Sequence, residues 1–322
     1  MIVLLFTGGT ISMRHDSGSR GAVPALKGAD LVALAPGIDR IARIEIEEWA
    51  TMAASHLTVS QAWSLRTRIA ELVARPDVEG IVVTHGTDTL EESAYLTARS
   101  IRTEKPVVFT GAMRTSSDLS WDGPANLTDS VRVAACPRAG AYGVVVVFGG
   151  RIFTAADVTK VHTHSLDAFE SPGLGPVGVV DSDAVIFRRA LVPGAPPLTP
   201  PHPAEPVDIV YAYEGADARL LDAARPGAPG VVVAAFGRGN MPLAMYDGVS
   251  RWLAEGKPAV ITSRAARGRV APTYGFPGGG RSLADAGAIL AGARRPQQAR
   301  IDLMLALGAG LQGDKLAEVF AS

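Results

Sequence analysis

The chain has 322 residues, is 47% hydrophobic and 20% charged, and sets 31 basic against 32 acidic residues for a formal charge of −1. That length supports about two domains with full cores, and the balanced charge excludes a nucleic-acid or anionic-membrane footprint, leaving a small ligand. One cysteine, Cys136, excludes an intramolecular disulfide framework; no apolar run reaches the roughly 18 residues of a membrane span, and Ile2–Phe6 is too short for a signal-peptide core, so the chain is expected to be a cytoplasmic globular protein.

Ile2–Phe6 (Ile-Val-Leu-Leu-Phe) predicts a buried parallel strand that runs into Thr7-Gly8-Gly9-Thr10. After it come a polar, glycine-containing stretch, Ser12–Lys27, and a strand near Ile44–Glu47. Ser60–Ala74 predicts an amphipathic helix, with Trp63, Leu65, Ile69, Leu72 and Val73 on one face. A second buried strand, Ile81–Val83, leads into Thr84-His85-Gly86-Thr87-Asp88-Thr89. Thr89 and Glu92 have capping-box spacing at the head of a helix running to about Ile101. Val107–Thr110 is the next strand; Gly111-Ala112-Met113-Arg114 follows it, then a helix starting at Asp122-Gly123-Pro124 with Asp122 as cap. Gly143–Phe148 supplies another strand.

This alternation predicts an α/β fold with a doubly wound, mostly parallel sheet over residues 1–192. Pro193–Pro206 holds seven prolines, sustains neither helix nor sheet, and reads as a linker over 193–206. Beyond it, strands at Asp208–Tyr211, Val231–Phe236 and Ala259–Thr262 alternate with helices near Ala216–Arg225, Leu243–Glu255 and Gln297–Ala309. Residues 207–322 therefore predict a smaller α/β domain.

Both threonine-bearing turns should emerge at the carboxyl edge of one sheet, where open α/β folds place ligands. An isolated Gly-Gly-Thr is equally at home as a turn threonine bonded to its own backbone. The second turn changes this, because Thr87 and Asp88 add a hydroxyl and a carboxylate to the same crevice. Lys160, in Asp157-Val158-Thr159-Lys160, lies outside any surface charge run. Paired with Asp88 and shielded from water, it could help take up a proton from Thr87; an ordinary salt bridge is the alternative. Hydroxyls, a carboxylate and glycine-freed amides form an inventory for attack on a carbonyl.

Thr7–Ile11, Thr84–Tyr95, Gly111–Arg114 with Thr110, Asp122–Leu127 and Asp157–Lys160 resemble the signatures of the bacterial-type L-asparaginase family, in order and spacing. Gly237-Arg238-Gly239-Asn240 is similar to that family's C-terminal loop, so the resemblance spans the chain. It implies hydrolysis of L-asparagine to aspartate and ammonia, with Thr10 as nucleophile and Thr87, Asp88 and Lys160 in support. It implies further that Asp88 holds the α-ammonium, that N–H groups of Thr10 and Thr87 form an oxyanion hole, and that the Ala112 carbonyl receives the leaving amide. Gly86 and Asn240 join the substrate-binding set, and a homodimer or homotetramer is implied, with Asn240 and Arg267–Gly280 completing a neighbour's site. No cofactor and no metal are implied.

Departures from the pattern are equally legible. Ser12–Leu26, at the place of the family's mobile lid, has no tyrosine; Ser12, His15 and Asp16 are candidates to orient Thr10, each also readable as a solvated loop residue. Ser12–Gly28, with Gly18, Gly21 and Gly28 and few apolar anchors, is expected to be open or disordered without ligand and to close over bound amino acid, and the missing tyrosine to raise KM or lower turnover against tyrosine-bearing relatives. The carboxylate-binding serine falls at Ala54 by strict register, with Ser55 one place later, and Arg267–Gly280 carries Tyr274 where a glutamate is expected. Glutaminase-asparaginase activity, a related amidase and a silent amino-acid-binding homologue remain alternatives. Gly173–Gly178 matches a dinucleotide pattern but lies between prolines, His162 and His164 lack a third metal ligand, and Cys136 reads as a small buried residue.

Overall fold

The computed structural model describes residues 1–16, 18, 21–35, 37–191 and 195–321. The chain divides into two compact units, Met1–Pro197 and Leu198–Ser322. Residues 17, 19 and 20 of the expected lid, and the first two residues of the expected linker, lie outside the described residues.

In the first unit the strands are β1 (Ile2–Gly8), β2 (Met13–His15), β3 (Ala22–Pro24), β4 (Ile44–Met52), β5 (Gly80–Thr84), β6 (Val107–Thr110), β7 (Val144–Phe148), β8 (Arg151–Thr154), β9 (Thr159–Lys160), β10 (Phe169–Glu170), β11 (Gly178–Val180) and β12 (Val185–Phe187). The helices are α1 (Gly28–Ala33), α2 (Ile38–Ile41), α3 (Val59–Ala74), α4 (Leu90–Ser100) and α5 (Gly123–Ala134). Eight strands form one sheet in the order β12-β11-β8-β7-β6-β5-β1-β4. The pairs from β4 through β1, β5 and β6 to β7 are parallel, and those from β7 through β8 and β11 to β12 antiparallel.

The continuous apolar runs follow from burial on both faces. Along β1, Val3 and Leu5 pack with α3 and α4 residues such as Leu65, Ile69 and Leu90, whereas Ile2, Leu4 and Phe6 pack with Leu31, Ile38, Leu127 and Val131 on the other face. Register then sets the site. Phe6 lies opposite Thr84 and Thr84 opposite Thr110, so β1, β5 and β6 end in one row. Gly8 lies opposite Met52, which brings the end of β4 to the same edge.

Three local expectations are corrected. Thr89 precedes α4 but does not cap it through its side chain; its hydroxyl donates to the Ala54 carbonyl at 3.1 Å. Asp122 likewise makes no side-chain cap: its backbone is helical (φ −87°, ψ −8°), and its carboxylate accepts instead from the Met113 and Arg114 amides, each at 3.0 Å. The described part of the expected lid is not an open loop. Met13–His15 pairs antiparallel with Ala22–Pro24, and Met13 and His15 are further bonded to Ser116 and Ser117. Backbone pairing of this kind needs no apolar periodicity, which is why composition alone read it as loop. Gly28 belongs to α1.

The second unit contains β13 (Val207–Tyr211), α6 (Arg219–Ala224), β14 (Gly230–Ala235), α7 (Leu243–Ala254), β15 (Ala259–Ser263), α8 (Gly280–Asp285), β16 (Ile289–Leu290), α9 (Pro296–Gly308) and α10 (Gly313–Glu318). Its four strands form a parallel sheet in chain order. Trp252 of α7 is fully buried here, its indole N–H donating to the Leu221 carbonyl at 3.0 Å. The helix expected near Ala216–Arg225 is shorter, and the Gly173–Gly178 segment leads into β11 rather than a helix.

Candidate active site

Four turns meet at the carboxyl edge of the large sheet, and glycine decides how closely. A Cβ added to Gly9, whose φ is +86°, would sit 2.5 Å from the Gly86 Cα, and one added to Gly86 would sit 2.6 Å from the Ala54 Cβ. The turns that carry Thr10, Thr87 and Ser55 are thus in backbone contact, a packing only glycine permits. The Thr89–Ala54 hydrogen bond closes the same junction.

Thr10 opens a short 3₁₀ turn, Thr10–Ser12, directly after Gly9, and is partly exposed. Thr87 is buried, and its hydroxyl accepts from Lys160 Nζ at 2.9 Å. The same ammonium donates to Asp88 Oδ1 at 2.9 Å. Lys160 reaches this position from β9, which pairs with β10 and whose Lys160 amide donates to Glu91 in the first turn of α4. The triad named from the sequence is therefore assembled. Its shielding is not: the Lys160 side chain is 19% exposed but that of Asp88 is 64% exposed, facing a cleft of about 330 Å³ lined also by Val161, His162 and Thr163.

Ala112 is buried beside Gly111, where an added Cβ would meet the His85 carbonyl at 2.4 Å. Two residues place this loop. Asp122 holds the Met113 and Arg114 amides, and Asn126 donates to the Gly111 carbonyl at 3.0 Å and to Asp122 at 3.0 Å. Ser55 is exposed, next to the buried Ala54. In the second unit, the Asn240 side chain accepts from the Gly280 amide at 3.3 Å, while Tyr274 and Phe276 are exposed with ring centroids 5.7 Å apart. Cys136 is half-buried and free.

His85 passed unassigned in the sequence. It is buried, with Nδ1 2.8 Å from the Gly86 carbonyl and Nε2 3.0 Å from Ser93 Oγ. A carbonyl only accepts, so Nδ1 carries the proton and Nε2 takes the serine hydroxyl. Burial pushes the imidazole below its ordinary value, against the smaller opposing effect of the Gly86 carbonyl. Ser12 also departs from expectation: it is buried, and its hydroxyl donates to the Gly9 carbonyl at 2.9 Å. His15 pairs with Asp118 at 3.4 Å on the exposed side of the β2–β3 hairpin.

Two family models cover these units. Residues 1–193 match the N-terminal asparaginase model and residues 206–320 the glutaminase/asparaginase C-terminal domain. The chain belongs to the asparaginase family. Among relatives of this asparaginase-family chain, a probable L-asparaginase of Deinococcus radiodurans is 37% identical over 99% of the chain and 96% of its own length. An L-asparaginase of Bacillus licheniformis is 34% identical over 98% of the chain and 97% of its own length. The crystal structure of a probable cytoplasmic L-asparaginase from Campylobacter jejuni superposes with a TM-score of 0.90 at 33% identity, covering 99% of this chain and 98% of that one. A larger cavity of about 650 Å³ in the second unit is lined mainly by alanine, proline, glycine, leucine and isoleucine and offers no hydroxyl or thiol.

Proposed function

We propose that this chain hydrolyses the side-chain amide of L-asparagine to aspartate and ammonia through an ester on Thr10. The observation that carries this is the contact of Lys160 Nζ with both the Thr87 hydroxyl and the Asp88 carboxylate, at the sheet edge that also delivers Thr10. The Thr10 hydroxyl attacks the amide carbon, and the carbonyl oxygen takes the charge between the Thr10 and Thr87 amides. The C–N bond then breaks; the nitrogen takes up the proton that the Thr10 hydroxyl gave up on attack and leaves as ammonia past the Ala112 carbonyl. Water attacks the ester, its proton passes to the Thr10 oxygen as that C–O bond breaks, the hydroxyl is restored and aspartate departs.

Asp88 keeps an exposed face for the substrate α-ammonium, while Ser55 and the Gly86 turn serve the α-carboxylate. Bound substrate displaces water from the Asp88–Lys160 pair, and in that state the pair relays the proton of Thr87. No residue of the triad needs a metal or cofactor for this chemistry. Residues 193–206 act as the linker, and the cytoplasm is the compartment, as named for the Campylobacter jejuni relative. In a homodimer or homotetramer, Asn240 and Arg267–Gly280 complete a neighbouring copy's pocket.

Ammonia release from L-asparagine, L-glutamine, D-asparagine and small amides tests the assignment. L-Asparagine is expected to give the highest kcat/KM. Release from L-glutamine at an equal or higher kcat/KM would instead favour the glutaminase-asparaginase reading, and no release from any amide would leave a silent amino-acid-binding homologue.

A further inference from the structure

The two ends of the β2–β3 hairpin meet over a small buried space. Ser12 stands at the departing end, immediately after Thr10 and Ile11, and its carbonyl accepts from the Ala25 and Leu26 amides of the returning end at 2.9 and 3.0 Å. Glu48, on β4, accepts from the Gly28 amide and fixes the start of α1. Between them lies a cavity of about 10 Å³ open to the centre of a water molecule, its lining including Ser12, Leu26, Gly28, Glu48 and Thr84. That volume is about the room one water needs.

Thr84 supplies the second observation. It ends β5, is 0% exposed, and its hydroxyl has no hydrogen-bond partner among the described residues. Leaving a buried hydroxyl unpaired is costly, so native chains rarely leave one without protein or water. The groups around the cavity complement one another. Thr84 has a hydrogen to give; the Ser12 hydroxyl has already given its own to Gly9 and offers lone pairs; the Glu48 carboxylate accepts.

We propose that one water molecule occupies this cavity, accepting from the Thr84 hydroxyl and donating to Ser12 Oγ and the Glu48 carboxylate, and so ties the root of the hairpin to the end of the strand that leads into the Thr87 turn. Thr84 is then a positioning residue. It acts through the water on Ser12, and Ser12 in turn holds the Gly9 carbonyl next to Thr10.

Thr84→Val keeps the shape of the side chain and removes the hydroxyl; Thr84→Ser keeps the hydroxyl. In a crystal structure of the wild-type chain at about 1.5 Å, a water peak is expected within hydrogen-bond reach of Thr84 Oγ1 and Ser12 Oγ, retained in T84S and lost in T84V. Amide hydrogen exchange in the segment 12–26 is expected to quicken about two- to tenfold in T84V, the effect of one or two hydrogen bonds, and to return to the wild-type rate in T84S. The kcat for L-asparagine falls by a similar factor with KM little changed. A wild-type cavity without density, or a T84V chain that exchanges like wild type, overturns the inference. The density and exchange measurements need no substrate, so they stand apart from the amidohydrolase reading, on which only the turnover measurement rests.

Discussion

At the scale of single residues, the site depends on what glycine omits and on one buried imidazole. Gly9 and Gly86 let two turns touch, and His85 fixes the second turn by donating to the Gly86 carbonyl, whose peptide unit also bears the Thr87 amide. Because burial keeps this imidazole neutral, protons bind it more readily in the unfolded chain than in the folded one. Its contribution to stability is complete above the ordinary imidazole value of about 6.5 and is lost as pH falls toward the depressed folded value. The denaturation midpoint of the wild-type chain should therefore fall more steeply below about pH 6.5 than that of H85Q, which keeps a donor but does not titrate. Parallel slopes in urea titrations would refute this.

At the scale of elements, the loop after β6 is held by the head of α5 rather than by its own sequence. Removing the carboxylate in D122A strands the Met113 and Arg114 amides and one Asn126 donor, which should cost about 2–3 kcal/mol in chemical denaturation. Displacing the Ala112 carbonyl should also lower kcat roughly 10- to 100-fold. Turnover equal to wild type would show that Asp122 does not place the loop. The same segment shows what sequence can and cannot reveal. The strands at Ile2–Phe6 and Val107–Thr110 were plain because strands buried on both faces are apolar throughout. Asp122 was visible as a residue of note but misread as a cap, since a helix-start aspartate and a loop-binding aspartate look identical until ψ is known. The hairpin of Met13–His15 and Ala22–Pro24, the burial of Ser12 and the role of His85 are not legible in the sequence, because backbone pairing and burial leave no periodic trace in so short a stretch.

At the scale of the whole molecule, each unit has its own sheet and its own core, and each matches its own family model. The Thr10, Thr87, Asp88 and Lys160 constellation lies wholly in the first unit, yet Asn240 and Tyr274 belong to the second. The homo-oligomer proposed above is expected to appear by light scattering as a dimer or tetramer, with activity that falls on dilution below its dissociation range; a fully active monomer at nanomolar concentration would contradict it. In the proposed reaction Thr10 carries the acyl group. Ammonia release from saturating L-asparagine by the wild-type chain and by T10A, with folding of both confirmed by circular dichroism, tests it most directly. Turnover by the wild-type chain and a loss of at least about 10³-fold in T10A are expected. T10A retaining more than about a tenth of wild-type turnover, where nucleophile removal costs orders of magnitude, would contradict it.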